Sequence, residues 1–319
     1  MATKLLKFSK KYGPCIKSLY SLLKENNGTR IDNGRTAAYR TMDPRRNTLK
    51  KCFTDLYNAG YILESPKSLK PKHLQFIFNK LVAEGRSAST FQNYKSHLTA
   101  LCIWIGKPGM MNQVDLSTVP THMRKRKAEA VVNKDWSTKP EFWSIINAIL
   151  LDDIVVGIQL LLMFAFGLRA NEAMCLELSE ADKGMFLYLV HGTKGGLKRI
   201  VPIDNDLQRQ VLEFIKAIYP AFVDPDEKKP TQHKLKQWRQ HFYYICGKKH
   251  GLTRANKMVP HGLRHGYAQR VFEMASGVMS PIRSGLPLDK TNKINKAILK
   301  ASKRLGHSRP GILAAYIGK

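Results

Sequence analysis

The sequence predicts a mainly α-helical protein with one small antiparallel β-sheet. Apolar residues recur at three- and four-residue spacing along most of the chain, and a single pair of neighbouring segments is rich in β-branched and aromatic residues. A chain of 319 residues is long enough for two domains that each bury a core. The basic stretch that follows Pro120 separates two regions of different pattern. We therefore expect a helical domain at 1–118, a linker at 119–134 and a second domain at 135–319.

The first region shows helical periodicity only. Between Lys72 and Ala83 the apolar residues fall on one helical face, and Gly85 follows as a C-cap. We predict further helices in this region at 13–26, at 43–60, and from Ser89 or Thr90 to Gly106.

The second region mixes helices with a hairpin. Two β-rich runs, 185–190 and 199–203, flank the glycine-rich turn 192–196 and predict a β-hairpin. The pattern also predicts helices that begin at Pro140 and that cover 154–166, 168–176 and 207–218.

The net charge is unusual for a soluble protein. The formal charge is +29, from 53 Lys plus Arg against 24 Asp plus Glu. Residues 1–133 hold 24 basic and 8 acidic residues, so both regions are positive. Such a surplus favours a polyanionic partner, for which nucleic acid is preferred over a ribosomal role or an anionic membrane. Four consecutive cations in the linker are predicted to contact DNA phosphates: Arg124, Lys125, Arg126 and Lys127.

The five cysteines are isolated in sequence and have apolar neighbours, which predicts reduced, mostly buried thiols. The N-terminus lacks the apolar segment of a signal peptide, and the longest apolar stretch, 154–168, is too short to span a membrane. We expect a cytoplasmic protein that is associated with the nucleoid when bound to DNA, with no membrane partner.

Candidate catalytic residues form an ordered series in the second region. Singly each has an ordinary explanation, such as an ion pair between Arg169 and Glu172. Together they suit attack on a phosphodiester, which needs guanidiniums for the non-bridging oxygens, proton carriers and a nucleophile. The series is Arg169, Lys194, His261, Arg264, His307 and Tyr316.

The sequence lacks GxxxxGK[ST], HExxH and clustered carboxylates, so a metal-dependent nuclease is poorly supported and no cofactor is expected. The series resembles the catalytic set of the tyrosine recombinase, or phage integrase, family. The resemblance covers most of residues 135–319 and rests on Gly-Leu-Arg-x-x-Glu, Thr-Lys-Gly-x-x-x-Arg-x-Val-Pro, His-x-Leu-Arg-His and Leu-Gly-His-x(8)-Tyr. The N-terminal helices are similar to that family's core-binding domain at the level of pattern.

The resemblance implies a role for each residue. Arg169 and Arg264 would hold the scissile phosphate, Lys194 would protonate the departing 5′ oxygen, and Tyr316 would form a 3′-phosphotyrosine. His261 would assist proton transfer from the phenol.

The remaining positions are assigned in the same way. His307 would bind a non-bridging oxygen, Glu172 would orient a site side chain, and His265 would be structural. The stretch from Arg264 to His307 is longer than is usual in the family, and the excess at 276–292 is either a partner-contacting loop or an inert insertion.

The expected function is site-specific DNA recombination, as an integrase of a mobile element that acts as a homotetramer on double-stranded DNA with accessory DNA-bending or directionality factors. Two alternatives stay open. One is DNA relaxation of the type IB topoisomerase kind, and the other is a DNA-binding regulator with an idle site.

Overall fold

A computed structural model describes residues 14–29, 36–37, 39–125, 129–193, 196–218, 232–289 and 291–319. The chain divides into two compact units, Met1–Lys127 and Ala128–Lys319. Within the described residues, none of the helices has both the length and the apolar character that a membrane span requires.

The N-terminal unit is helical around one apolar core. Leu19, Leu49, Phe78 and Leu98 are among the fully buried side chains that join its helices. These helices are α1 (Pro14–Asn26), α2 (Tyr39–Asn58), α3 (Pro71–Ala83), α4 (Ala88–Trp104) and the short α5 (Thr121–Arg124).

The predicted start of α4 was wrong by a few residues. The N-cap is Ser87, whose hydroxyl accepts a hydrogen bond from the Thr90 backbone N–H at 3.3 Å. Ser89 has the same capping chemistry but lies inside the first turn. Gly85, in the left-handed region with φ of 58°, follows α3 as expected.

The second unit packs helices around the apolar helix α7. Nearly every residue of α7 is buried, so the helix has no solvent-facing side. The helices here are α6 (Phe142–Asp152), α7 (Ile154–Phe166), α8 (Ala170–Met174), α9 (Leu178–Ala181), α10 (Asp206–Ile218), α11 (Gln232–Tyr244), α12 (Pro260–Ser276), α13 (Pro281–Ser284), α14 (Asn292–Arg304) and α15 (Ala314–Ile317).

The predicted hairpin is present as a two-stranded antiparallel sheet. Strand β1 (Phe186–Leu189) pairs with β2 (Arg199–Pro202), with Leu189 opposite Arg199. Leu187, Leu189 and Val201 point into the core. The fold class predicted from the sequence is confirmed, and the five cysteines are free, as expected.

Candidate active site

The first part of the site forms where α7 ends. Gly167 adopts φ of 60°, and a Cβ there would lie 2.2 Å from the Tyr267 ring. This glycine therefore permits the sharp turn that brings Arg169 to the start of α8. The Arg169 backbone N–H donates to Glu172 Oε2 at 2.7 Å, and its Nη1 donates to Glu172 Oε1 at 2.5 Å.

Glu172 is fully buried, and two further arginines lie next to its carboxylate. Arg199, from β2, donates its Nη2 to Glu172 Oε2 at 2.8 Å and its Nε to Oε1 at 3.2 Å. Arg264, from α12, places Nη1 3.8 Å from Oε2. Burial by itself raises the pKa of Glu172, but Arg199, Arg169 and Arg264 together outweigh it, so the pKa is lowered. Three permanent cations thus surround one carboxylate.

The arginines are also fixed by backbone carbonyls. Arg169 Nη2 donates to the Leu305 carbonyl at 3.3 Å, and Arg264 Nη2 donates to the same oxygen at 2.6 Å. The two guanidiniums proposed for one phosphate therefore meet at one atom. Burial lowers the pKa of Arg264 to about 10, and Arg169 and Arg199 add to that effect, although the Tyr316 side chain opposes it. We call Arg169, Glu172, Arg199 and Arg264 the arginine cluster.

Tyr316 lies beside this cluster on the short helix α15. Its hydroxyl is 3.3 Å from His307 Nε2, and its ring centroid is 5.9 Å from the Arg264 guanidinium carbon. Only 8% of the Tyr316 side chain is exposed. Three members of the series, Arg264, His307 and Tyr316, are therefore close in space.

Three imidazoles pack around the Tyr316 ring. The centroid distances to Tyr316 are 4.7 Å for His265, 5.6 Å for His307 and 6.2 Å for His261. Burial lowers the pKa of His265 to about 3, with a smaller contribution from His261. We call Tyr316 with these three histidines the tyrosine cluster.

His261 differs from His265 in its access to solvent. His261 is exposed, whereas His265 is buried. Desolvation by nearby protein, followed by the charges of Arg264 and Arg169, lowers the pKa of His261. A neutral imidazole near the phenol can accept a proton.

The remaining predicted residues are Lys194 and the four linker cations. Lys194 falls outside the described residues, as do Arg126 and Lys127. The Arg124 side chain donates from Nε to the Val119 carbonyl at 2.5 Å, and Lys125 is exposed.

Arg199 is a site residue that we did not single out from the sequence. It occupies the arginine position of the quoted Thr-Lys-Gly-x-x-x-Arg-x-Val-Pro motif, which was the available signal. Gly306 packs against the Arg199 side chain. It has φ of 68°, and a Cβ there would lie 2.7 Å from Arg199 Cδ. Among the described residues, no group of three or more histidine, cysteine, aspartate or glutamate side chains is arranged to hold a metal ion.

Comparison with known proteins shows partial similarity to one family of recombinases. Residues 136–280 match the phage integrase family. The chain is 33% identical over 117 residues to tyrosine recombinase XerA of Thermococcus onnurineus, which is 35% of this chain and 40% of that protein. It is 27% identical over 141 residues to tyrosine recombinase XerA of Pyrococcus furiosus, which is 43% of this chain and 47% of that protein. The matches thus span less than half the length of these relatives.

Solved structures share the fold over nearly the whole chain. A lambda integrase fragment, as a dimer bound to a COC′ core site, has a TM-score of 0.55 at 14% identity, and the match covers 93% of this chain and 94% of that chain. The XerH site-specific recombinase bound to palindromic difH substrate has a TM-score of 0.53 at 16% identity, with 98% and 90% covered. Residues 136–280 are thus similar to the phage integrase family, within a chain that shares its fold with these lambda integrase and XerH structures.

Proposed function

We propose that this protein is a site-specific DNA recombinase that cuts and rejoins strands through Tyr316. The proposal rests on one observation, that the tyrosine cluster lies next to the arginine cluster. The Tyr316 hydroxyl lies 3.3 Å from His307, while Arg264 is close to the Tyr316 ring and shares the Leu305 carbonyl with Arg169. A nucleophile, imidazoles beside it and two guanidiniums are groups that suit attack on a phosphodiester. We assign the phenol proton to His261, whose ring centroid is 6.2 Å from that of Tyr316.

In the first step, the Tyr316 oxygen attacks the scissile phosphorus. A bond from phosphorus to the tyrosine oxygen forms, and the bond to the 5′ oxygen breaks. The phenol proton passes to His261, and Lys194 supplies a proton to the leaving 5′ oxygen, a role that rests on the family resemblance. Arg169 and Arg264 stabilise the charge that develops on the non-bridging oxygens.

In the second step, a 5′ hydroxyl of the partner strand attacks the phosphotyrosine. The phosphorus–tyrosine bond breaks and a new phosphodiester forms. The hydroxyl proton passes to Lys194, and the tyrosine oxygen takes its proton back from His261. One ester replaces another at each step, so the bond energy is retained and rejoining needs no ATP. His307 hydrogen-bonds a non-bridging oxygen in both steps.

The charge supports double-stranded DNA as the substrate. A formal charge of +29 spread over both regions suits contact with many phosphates. We assign the N-terminal unit to DNA binding, with Lys125 and its neighbours in the linker at phosphates. A lambda integrase structure is described as a tetramer bound to a Holliday junction. By analogy, we propose tetrameric action in a mobile-element integrase, assisted by accessory DNA-bending or directionality factors.

The test uses DNA whose target sequence need not be known. Purified protein is incubated with nicked duplexes of randomised core sequence, and SDS-resistant protein–DNA adducts are isolated and sequenced. We expect adducts from the wild type and from the control Tyr243→Phe, whose side chain is 50% exposed. Tyr316→Phe should bind DNA with unchanged affinity and form no adduct.

Two outcomes would contradict the proposal. An adduct from Tyr316→Phe would mean that another residue is the nucleophile. The absence of any adduct from the wild type, with DNA binding intact, would favour the idle regulator. Relaxation of supercoiled plasmid by substoichiometric protein would instead support topoisomerase activity.

A further inference from the structure

The long segment between Arg264 and His307 includes Arg283, which forms hydrogen bonds with side chains near the Tyr316 backbone. Arg283 lies on α13, and only 19% of its side chain is exposed. Its Nε donates to Gln269 Oε1 at 2.7 Å, its Nη1 to Glu273 Oε2 at 2.9 Å, and its Nη2 to Asp135 Oδ2 at 2.6 Å. Each nitrogen of the guanidinium therefore has its own acceptor.

Gln269 connects this arginine to the tyrosine-bearing helix. It is fully buried on α12, and its Nε2 donates to the Tyr316 backbone carbonyl at 3.1 Å and to Asn133 Oδ1 at 3.0 Å. Because Arg283 binds the amide oxygen, the amide nitrogen is directed at the Tyr316 carbonyl. A methionine at position 283 would leave the Gln269 oxygen without this donor.

The same segment also packs directly on the end of α15. A Cβ on Gly318 would lie 3.1 Å from the Ile282 backbone nitrogen and 3.4 Å from Pro281 Cβ. Gly318 has φ of 80°, so a side chain there would be strained as well as crowded. The chain after Tyr316 is thus held from two sides, by Gln269 through the carbonyl and by α13 through packing.

The α13 segment is itself anchored independently of the site. Glu273 Oε1 accepts from the Ser280 backbone N–H at 3.0 Å and from the Ser280 hydroxyl at 2.7 Å. Ser280 is fully buried. Arg283 therefore starts from a fixed backbone, which is what a positioning contact requires.

We propose that Arg283 is a positioning residue that acts through Gln269 to hold the Tyr316 backbone at the distance the cleavage step needs. This inference rests on the proposed role of Tyr316. It gives the long segment a function in place of the partner contact or inert insertion expected from the sequence. Small displacements of a nucleophile are costly, since about 1 Å of misplacement can lower a rate by about 10²-fold.

The test is a double-mutant cycle on the single-turnover cleavage rate, measured on the nicked substrates recovered above. Arg283→Met and Gln269→Met should each slow cleavage by about 10²-fold, with DNA affinity unchanged. The double variant should be no slower than either single one, because both act through one contact. Arg283→Lys keeps a cation and should recover part of the rate.

Arg209→Met is the matched control. Arg209 lies on α10 and also binds two carboxylates, at 2.9 Å from Asp182 and at 3.5 Å from Glu213 on the same helix. Its loss should leave the cleavage rate as in the wild type. Rates for Arg283→Met equal to wild type, or slowing in the double variant that is the product of the two single effects, would overturn the proposal.

Hydrogen exchange separates this inference from the proposed function. The Gly318 amide is bonded to the Ala314 carbonyl at 3.1 Å. Exchange of the 312–319 amides should speed up about tenfold in Arg283→Met and not in Arg209→Met. If the wild type forms no adduct while this difference is seen, the nucleophile assignment fails and the contact stands. Equal exchange in both variants would overturn the contact itself.

Discussion

The arginine cluster and the tyrosine cluster are adjacent but are built differently. In the arginine cluster, permanent charges are held by one buried carboxylate and by backbone carbonyls. In the tyrosine cluster, aromatic rings surround a hydroxyl whose neighbour is His307 at 3.3 Å. The first arrangement fixes positive charge in place, whereas in the second the pKa values of His261 and His265 are lowered. For the proposed cleavage, we therefore expect the arginine cluster to stabilise charge and the tyrosine cluster to move protons.

The largest expected effect is on the arginine cluster. Arg264→Met should lower the single-turnover cleavage rate by about 10³-fold, because the guanidinium stabilises negative charge that develops only in the transition state. DNA affinity should change by less than about tenfold, because many other cations contact the backbone. The measurement is adduct formation against time, with binding followed separately by fluorescence anisotropy.

Arg270→Met is the control for this variant. Arg270 lies on the same helix and donates to the Phe164 carbonyl at 2.6 Å, so it also contributes a partly buried guanidinium. Loss of Arg270 should lower the melting temperature. At temperatures where the variant is still folded, the cleavage rate should change little. Equal losses of rate and affinity in Arg264→Met would show that Arg264 acts in binding.

The second effect concerns stability. Glu172→Gln leaves three arginines around an uncharged amide and should lower the free energy of unfolding by about 3 kcal/mol. The control Glu213→Gln removes exposed ion pairs to Arg209 and Lys216 and should leave the free energy of unfolding nearly unchanged. Urea titrations measure both. Similar midpoints for the two variants would mean that Glu172 does not hold the arginine cluster together.

The pH dependence of this difference has a definite sign. The folded-state pKa of Glu172 lies below its ordinary value. Its contribution is therefore complete above the unfolded-state pKa and is lost as pH falls through the folded-state pKa. The gap between wild type and Glu172→Gln should shrink only in that acidic range.

The sequence predicts most of the helices and strands, but little of how the arginine cluster and the tyrosine cluster are built. The buried α7, the β1–β2 hairpin and the order of the catalytic series all follow from local pattern or motif. From the sequence, Glu172 was expected to orient an active-site side chain, but its distant partners were not identified. It binds Arg199, which is 27 residues away, and approaches Arg264, which lies on another helix. Periodicity identifies which face is buried. It does not identify which elements meet there, because that depends on tertiary packing.

The cap of α4 and the Arg283 contacts illustrate the same limit at two scales. Ser87 and Ser89 are equivalent as capping residues, so only the path of the backbone distinguishes them. Arg283 contacts Asp135 across 148 positions, and no short-range pattern predicts such a pair.

The effect that is smallest at neutral pH is on the tyrosine cluster, because it grows only in acid. The pKa of His265 is lowered to about 3 because its ring is buried. An imidazole that is neutral when folded and protonated when unfolded costs stability as pH falls below about 6.5, by up to about 1.4 kcal/mol per pH unit. The wild type should therefore lose stability between about pH 6.5 and pH 4, and His265→Gln should lose it less steeply. Parallel slopes for wild type and His265→Gln would show that His265 is protonated in the folded protein, and the two clusters would then both be cationic.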